Sequence, residues 1–144
     1  MLTVDPSVGI DAGSLLRDID RATASGRDIA ISIAGMPGGE LQSRLVTGLA
    51  DAIAPALPRL GGLILTGGET ARAVLDRAGV HAIRILGEIE PGVPLGMTVG
   101  EIEVPVVTKA GAFGNENTLS NALSALKNHR PGVHPSSQIS SVHP

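Results

Sequence analysis

The sequence contains no cysteine, no tryptophan and no tyrosine, and Phe113 is its only aromatic residue apart from four histidines. The absence of cysteine excludes disulfide bonds and thiolate metal sites. A chain with one aromatic ring has almost nothing on which nucleic-acid bases could stack. The formal net charge of −3 also argues against the basic face that a phosphate-backbone binder needs. We therefore expect an aliphatic core and no nucleic-acid partner.

Long apolar runs are missing as well. No stretch approaches the ~20 residues that a membrane-spanning helix needs. The N-terminal stretch MLTVDPSVGIDAG lacks the basic start and the apolar segment of a signal peptide. We therefore expect no membrane association and a cytoplasmic location. Hydrophobic residues make up 42% and charged residues 17% of the 144 residues, which is typical of one folded globular domain.

Hydrophobic periodicity divides the chain into alternating helices and strands. The predicted helices cover 14–25, 40–54, 69–78 and 117–128, and the predicted strands cover 28–34, 60–66, 81–87 and, as a hairpin or paired strands, 97–108. This order predicts an α/β fold, a layered α-β-α domain with a mostly parallel sheet and a C-terminal hairpin. The strand at 60–66 is apolar on both faces, which predicts a position in the centre of the sheet.

The same patterns set the expected domain boundaries. Residues 1–128 form the expected α/β domain. Residues 129–144 show no periodicity and contain three prolines, so we expect a disordered tail there.

The segment Thr66-Gly67-Gly68-Glu69 connects a predicted strand to a predicted helix. A helix start presents unpaired N–H groups and the positive end of the helix dipole, which together favour an anion. Two glycines would let phosphate oxygens reach those groups, and Glu69 suits a ribose hydroxyl or a magnesium-bound water. The alternative is that the glycines only make a sharp turn and Glu69 only stabilises the first helical turn.

The segment 106–123, VVTKAGAFGNENTLSNAL, repeats this arrangement of strand, glycine loop and helix. Gly111 and Gly114 lie three residues apart and Lys109 precedes them, which is typical of a loop that surrounds phosphate. The loop is not a Walker A motif, because no Gly-Lys-Ser/Thr follows the glycines. The alternative is a turn beside a surface lysine. If the two strands are neighbours, both loops open at one edge of the sheet.

The segment 86–96, LGEIEPGVPLG, is dense in glycine and proline and predicts a rigid, irregular loop. Glu88 and Glu90 would point the same way if the segment is extended, so they are candidates for a metal ion or a ribose. The alternative is a solvated acidic loop.

Together, LTGGETA, LGEIEPGVPLG and VVTKAGAFG…TL resemble the C-terminal, nucleotide-binding domain of the four-carbon acid sugar kinase family. The resemblance runs from about Asp28 to Leu126. It implies an enzyme that uses ATP to phosphorylate acids such as threonate, erythronate or their oxo derivatives. The residues that it places at the nucleotide, with Glu88 the least certain, are Thr66, Gly67, Gly68, Glu69, Thr70, Glu88, Lys109, Gly111 and Gly114.

The sequence departs from the family pattern at several positions. Glu69 stands where an aspartate is common, and Ala112 stands where a second glycine is common. Asn115 and Asn117 replace residues that are often acidic. The sequence also shows no counterpart of the family's N-terminal acid-sugar domain, nor of the Gly/Ser-rich strand and turn that usually begin the nucleotide domain. We therefore expect a truncated or split half.

The resemblance implies ATP or ADP with Mg²⁺ as cofactors and, as partner, a separate acid-sugar-binding chain or a second copy of this chain. Without an acid-sugar-binding domain, this half is expected to be inactive. The alternative function is a truncated, non-catalytic interaction module that oligomerises and binds no nucleotide. A dinucleotide-dependent oxidoreductase is disfavoured, because neither glycine stretch reads G-x-G-x-x-G.

Overall fold

The computed structural model describes residues 2–35, 38–111 and 113–129. The α-helices are α1 (Ala12–Ala24), α2 (Gly39–Ile53), α3 (Gly68–Arg77) and α4 (Thr118–Asn128). The strands are β1 (Leu2–Val4), β2 (Ile31–Ile33), β3 (Leu63–Thr66), β4 (Val80–Glu90), β5 (Val93–Gly100) and β6 (Pro105–Lys109). A 3₁₀ helix, Ala54–Arg59, continues α2. The predicted α/β class is confirmed, while the predicted tail, residues 129–144, lies outside the described residues except for His129.

The strands of the described part of the chain form two sheets. β1 and β2 make a parallel pair, and the larger sheet has the order β3-β6-β5-β4. β3 and β6 are parallel, whereas β5 is antiparallel to both β6 and β4. Because only β5 runs in the opposite direction, β3, β4 and β6 end at the same edge of the sheet. We call this edge, marked by Thr66, Glu90 and Lys109, the carboxyl edge.

Some details differ from the sequence-based expectation. The four-stranded sheet is partly rather than mostly parallel, because β5 is antiparallel to both of its neighbours. β1 was not predicted, because three residues are too few to show a period. β3 lies at one end of the four-stranded sheet rather than in its centre. Its two apolar faces are nevertheless both covered: Leu63 and Leu65 pack in the cluster that contains Val74 of α3, and Ile64 packs in the cluster that contains Leu126 of α4. Helices on both faces of β3 therefore produce the apolar pattern that is typical of a central strand.

The layered arrangement follows from the alternation of side chains along each strand. On β6, Val106 packs toward α3 in a cluster with Val74, and its neighbour Val107 packs toward α4 in a cluster with Ala122. Val106 is 1% exposed and Val107 is 0% exposed. Because successive side chains of a strand point to opposite faces, a run of valines is buried on both sides only if helices cover both. The predicted α-β-α layering is therefore confirmed.

α1 is held against the small sheet by a separate apolar cluster. Leu15 and Ile19 pack with Leu49 of α2, and Ile31 and Ile33 of β2 border them. Asp11 caps the helix, since its carboxylate accepts a 3.0 Å hydrogen bond from the Ser14 amide. Such a cap stabilises a helix by about 1 kcal/mol. No helix within residues 2–35, 38–111 and 113–129 has the length and apolar character to cross a membrane.

Candidate functional site

The two predicted glycine loops are neighbours at the carboxyl edge. Thr66, the last residue of β3, is paired with Lys109, the last residue of β6. Directly beyond this pair, the Gly67 amide donates a 2.8 Å hydrogen bond to the Lys109 carbonyl. The expectation that both loops open at one edge of the sheet is therefore confirmed. Because this hydrogen bond already occupies the Gly67 amide, a ligand would have to bind the amides of the residues that follow Gly67.

The first loop, residues 66–69, contains one glycine that the fold requires, Gly67, and one that it does not, Gly68. Gly67 has a φ of 92°, in the left-handed region that glycine favours. Gly68 lies outside that region, and a Cβ added to it would meet no described atom within 4 Å. α3 has no side-chain cap at its N-terminus, so its first amide groups are left open. A glycine that neither its backbone conformation nor its packing requires is expected where a ligand approaches the main chain.

The second loop shows the same division between its two glycines. Gly114 has a φ of 94°, and an added Cβ would lie 2.5 Å from Thr118 Oγ1 and 2.9 Å from Lys109 Cε. Gly111 has no left-handed φ, and an added Cβ would meet no described atom within 4 Å. Packing therefore explains Gly114, whereas neither conformation nor packing explains Gly111.

The Lys109 side chain folds over its own loop. Its Nζ atom donates hydrogen bonds to the carbonyls of Ala110, at 3.2 Å, and Gly111, at 3.3 Å. The side chain is half-buried and passes beside Gly114. The ammonium group is thus held at the carboxyl edge, close to the bare backbone of Gly111.

Glu69 is tied to α2. Its carboxylate accepts hydrogen bonds from Ser43 Oγ at 2.5 Å and from Gln42 Nε2 at 3.0 Å. These contacts connect the first turn of α3 to the first turns of α2, which gives Glu69 a positioning role beyond its effect on the helix dipole. Sequence reasoning missed Ser43 and Gln42, because nothing local indicates a contact across 26 or 27 residues.

The third predicted stretch is not an irregular loop. Residues 86–96 belong to an antiparallel hairpin of β4 and β5, and only Pro91 and Gly92 form its turn. A bulge between Glu88 and Glu90 places them opposite Pro94 and Val93, which are adjacent on β5. Because adjacent residues of a strand point to opposite faces, the expectation that the two glutamates point the same way is wrong.

The two glutamates have separate partners. Glu88 Oε1 accepts a 2.8 Å hydrogen bond from the Gly92 amide and so closes its own turn. Glu90 Oε1 accepts a hydrogen bond from the buried Thr118 hydroxyl, and that hydroxyl accepts one from the Asn115 amide at 2.7 Å. Glu90 thereby links the hairpin to the start of α4. Sequence reasoning did not identify Thr118.

Phe113 makes a second link between the hairpin and the second loop. A Cβ added to Gly92 would lie 2.6 Å from Cδ1 of the Phe113 ring, so the ring rests against the main chain of the turn. The three stretches singled out in the sequence therefore meet at the carboxyl edge: the first loop touches the second, and the second touches the hairpin.

The charges at this edge are mixed. Lys109 brings a positive charge, and Glu69, Glu88 and Glu90 bring negative ones, each already hydrogen-bonded as described above. Among the residues that the structure describes, no three His, Asp or Glu side chains are grouped to hold a metal ion. Just after β1, hydrogen bonds from the Ser7 hydroxyl and amide lower the pKa of the Asp5 carboxyl below its ordinary value.

Comparison with known proteins relates the chain to kinases. Residues 13–119 match the family described as nucleotide-binding C-terminal domain. A D-threonate kinase of Cupriavidus necator is 45% identical over 112 residues, which are 74% of this chain and 27% of that protein. A 3-oxo-tetronate kinase of Burkholderia multivorans is 36% identical over 91 residues, 62% of this chain and 21% of that protein. The chain thus spans about a quarter of the length of these relatives.

Solved structures share the fold. A citrate-bound, domain-swapped dimer from Bordetella bronchiseptica, described as a domain of unknown function, has a TM-score of 0.65 and 28% sequence identity. The match covers 90% of this chain and 35% of that one. The arrangement of helices and sheets is therefore that of a known fold, within a longer chain.

Proposed function

This chain belongs to the nucleotide-binding C-terminal domain family of the four-carbon acid sugar kinases, and from that membership we propose that it is the ATP-binding half of a kinase that phosphorylates four-carbon acid sugars. The observation that supports the nucleotide site most directly is the pairing of the two glycine loops through the Gly67 amide and the Lys109 carbonyl. That pairing brings bare backbone from two strand ends to one place on the surface.

The phosphates of ATP or ADP would lie between the two loops. The open amides at Gly68, Glu69 and Thr70, at the positive end of the α3 dipole, and the amide of Gly111 would donate hydrogen bonds to phosphate oxygens. Lys109 would leave its loop carbonyls for the stronger, charge-assisted contact with a phosphate. Thr66, which is exposed at the end of β3, would add a hydroxyl from the same edge.

Mg²⁺ fits this site as part of the nucleotide rather than as a resident ion. The carboxylate of Glu69 is occupied by Ser43 and Gln42, and no carboxylate cluster stands beside the loops in the described residues. Mg²⁺ is commonly bound through substrate phosphates with several waters and one or two carboxylates. We therefore expect it to enter as the Mg–ATP complex.

The reaction would transfer the γ-phosphoryl group of ATP to a hydroxyl oxygen of the acid sugar and release ADP. Catalysis of this kind is mostly positioning and charge stabilisation. The residues described here would supply the phosphate contacts, and the sugar acid would be held by an acid-sugar-binding domain. Because the chain spans about a quarter of the related kinases, we propose that it is inactive until such a domain is present.

Calorimetry with Mg–ADP and Mg–ATP tests the nucleotide site. We expect weak but measurable binding to the folded chain. A Lys109→Met variant should bind more weakly, whereas Lys127→Met, which removes a lysine that is paired with Asp28 instead, should bind like the parent. The proposal is contradicted if calorimetry detects no binding heat at millimolar nucleotide while circular dichroism shows that the sample is folded.

A coupled assay of ADP release tests the second half of the proposal. The chain alone should not phosphorylate threonate or erythronate, and addition of the acid-sugar-binding domain of a related kinase should restore turnover. Turnover by the chain alone would show that no further domain is needed.

One observation favours a second function, that of an interaction module. β4 is the end strand of the four-stranded sheet, and its Ile85 and Leu86 are 61% and 45% exposed. Exposed apolar side chains on an end strand favour association. The structural relative from Bordetella bronchiseptica is a domain-swapped dimer, which supports self-association of this chain. Light scattering distinguishes the two functions. An oligomer whose size does not change when nucleotide is added supports the interaction module, and a monomer argues against it.

A further inference from the structure

The aromatic ring of Phe113 does not belong to the hydrophobic core. It is 52% exposed, and it belongs to none of the apolar clusters formed by the described residues. Its amide donates a 3.1 Å hydrogen bond to the Ala110 carbonyl, which fixes its main chain in the second glycine loop. The sequence has no other aromatic side chain besides histidine. Burial of apolar surface therefore explains only part of the ring's position.

The ring is nevertheless held in a definite place. One part of it rests on the main chain of Gly92, whose φ of 80° and lack of a side chain both suit that contact. The turn beneath the ring is fixed by the hydrogen bond from the Gly92 amide to Glu88. The hairpin is in turn joined to α4 by Glu90 and Thr118. A half-exposed ring on a braced support offers a preorganised surface to a ligand.

The position of the ring relative to the loops suggests which part of a ligand it would meet. The hairpin that supports Phe113 consists of β5 and β4, whereas β3, which is followed by Gly67 and Gly68, is at the other end of the four-stranded sheet; β6, which ends at Lys109, lies between them. Gly92 lies in the turn that joins β4 to β5, so two to three strand spacings, about 10–14 Å, separate it from β3. Amide groups and a lysine lie along the β3 and β6 side of this edge, and the ring lies on the hairpin side. An elongated ligand with an anionic end and a flat apolar end matches this sequence of groups.

We propose that the exposed surface of the Phe113 ring stacks against the base of the nucleotide whose phosphates lie at the glycine loops. This inference rests on the proposed nucleotide site and adds a base-binding residue to it. Stacking of a base on an aromatic side chain is tolerant of base identity, because every base has a π-face. Phe113 would therefore raise the affinity for a nucleoside triphosphate without selecting strictly between adenine and guanine.

Calorimetry with two ligands tests the role of the ring. Mg–ATP has a base, whereas Mg–tripolyphosphate has only the phosphate chain. Phe113→Ala should weaken binding of Mg–ATP by about 10- to 100-fold and leave binding of Mg–tripolyphosphate unchanged. Phe113→Tyr, which keeps the ring, should bind both like the parent. Val99→Ala is the matched control, since Val99 is 40% exposed at the opposite end of β5.

Each outcome has one meaning. Unchanged Mg–ATP binding by Phe113→Ala, or an equal loss for both ligands, overturns the stacking role and leaves the proposed nucleotide site standing. A parent chain that binds neither ligand removes the nucleotide site and the stacking role with it. Phe113→Trp gives a second readout, because it would be the sole tryptophan of the chain. Its fluorescence should respond to Mg–ATP and not to Mg–tripolyphosphate, and a response to neither contradicts the proposal even if Phe113→Ala is unstable.

Discussion

Gly114 and Thr118 are packed so closely that a Cβ on Gly114 would lie 2.5 Å from the Thr118 hydroxyl oxygen. The same Cβ would approach Lys109, and the φ of Gly114 is 94°. The second loop therefore needs glycine at this position for its own conformation. Gly111, three residues earlier, has no such requirement. The two glycines of one loop can thus be separated experimentally into a structural and a ligand-binding class.

The first prediction concerns stability. Gly114→Ala should lower the free energy of unfolding by about 2–5 kcal/mol, because a left-handed residue with a Cβ costs about 1–2 kcal/mol and overpacking adds about 1–3 kcal/mol. Gly111→Ala is the matched control and should change it by less than about 0.5 kcal/mol. Urea unfolding followed by circular dichroism measures both. Equal stability of the two variants would mean that Gly114 is not constrained by Thr118.

The second prediction concerns ligand binding by the unexplained glycines. Gly68→Ala and Gly111→Ala should remain folded and should bind Mg–ADP at least about tenfold more weakly, since a lost hydrogen bond to a charged group is worth about 1.5–3 kcal/mol. Calorimetry on variants with parent-like unfolding curves measures this. If both variants bind Mg–ADP like the parent, the glycines serve a purpose other than access to the main chain.

The order of the elements could be predicted because most of them carry a clear period. The helices α1 to α4 begin and end within about two residues of the predicted positions, as expected when an amphipathic pattern is bounded by glycine or proline. The sequence could also predict that the two glycine loops are adjacent, since parallel strands that are each followed by a helix end at the same edge of the sheet. In both cases the signal lies within short segments.

The hairpin could not be predicted in the same way. The sequence pattern assigns Pro94 and Gly96 to a loop, yet both lie within β5. Bulges after Ile85 and Glu88 account for part of this, because they interrupt the period of two on which strand prediction relies. Gly96 has a packing cause that a single sequence does not contain: the Ile83 side chain and the Arg84 carbonyl fill the place of its Cβ.

The third prediction separates two roles of Glu69. If its carboxylate only ties α3 to α2, then Glu69→Ala and Ser43→Ala should each cost about 1 kcal/mol of stability, and the double variant should cost less than their sum. Both single variants should then weaken Mg–ADP binding equally, through the position of the first loop. A loss of binding confined to Glu69→Ala would instead indicate direct contact between Glu69 and the nucleotide or its Mg²⁺.

The last prediction concerns Thr118, which is 1% exposed and whose hydroxyl joins Glu90 to the Asn115 amide. Thr118→Val keeps the shape of the side chain but leaves both partners without the hydroxyl, which should cost about 1–3 kcal/mol. Thr118→Ser retains the hydroxyl and should recover most of this loss. Because Glu90 belongs to the hairpin that supports Phe113, Thr118→Val should also weaken Mg–ATP binding more than Mg–tripolyphosphate binding. Unfolding by urea and calorimetry measure the two effects, and a valine variant as stable as the serine variant would show that the hydroxyl does not hold the hairpin.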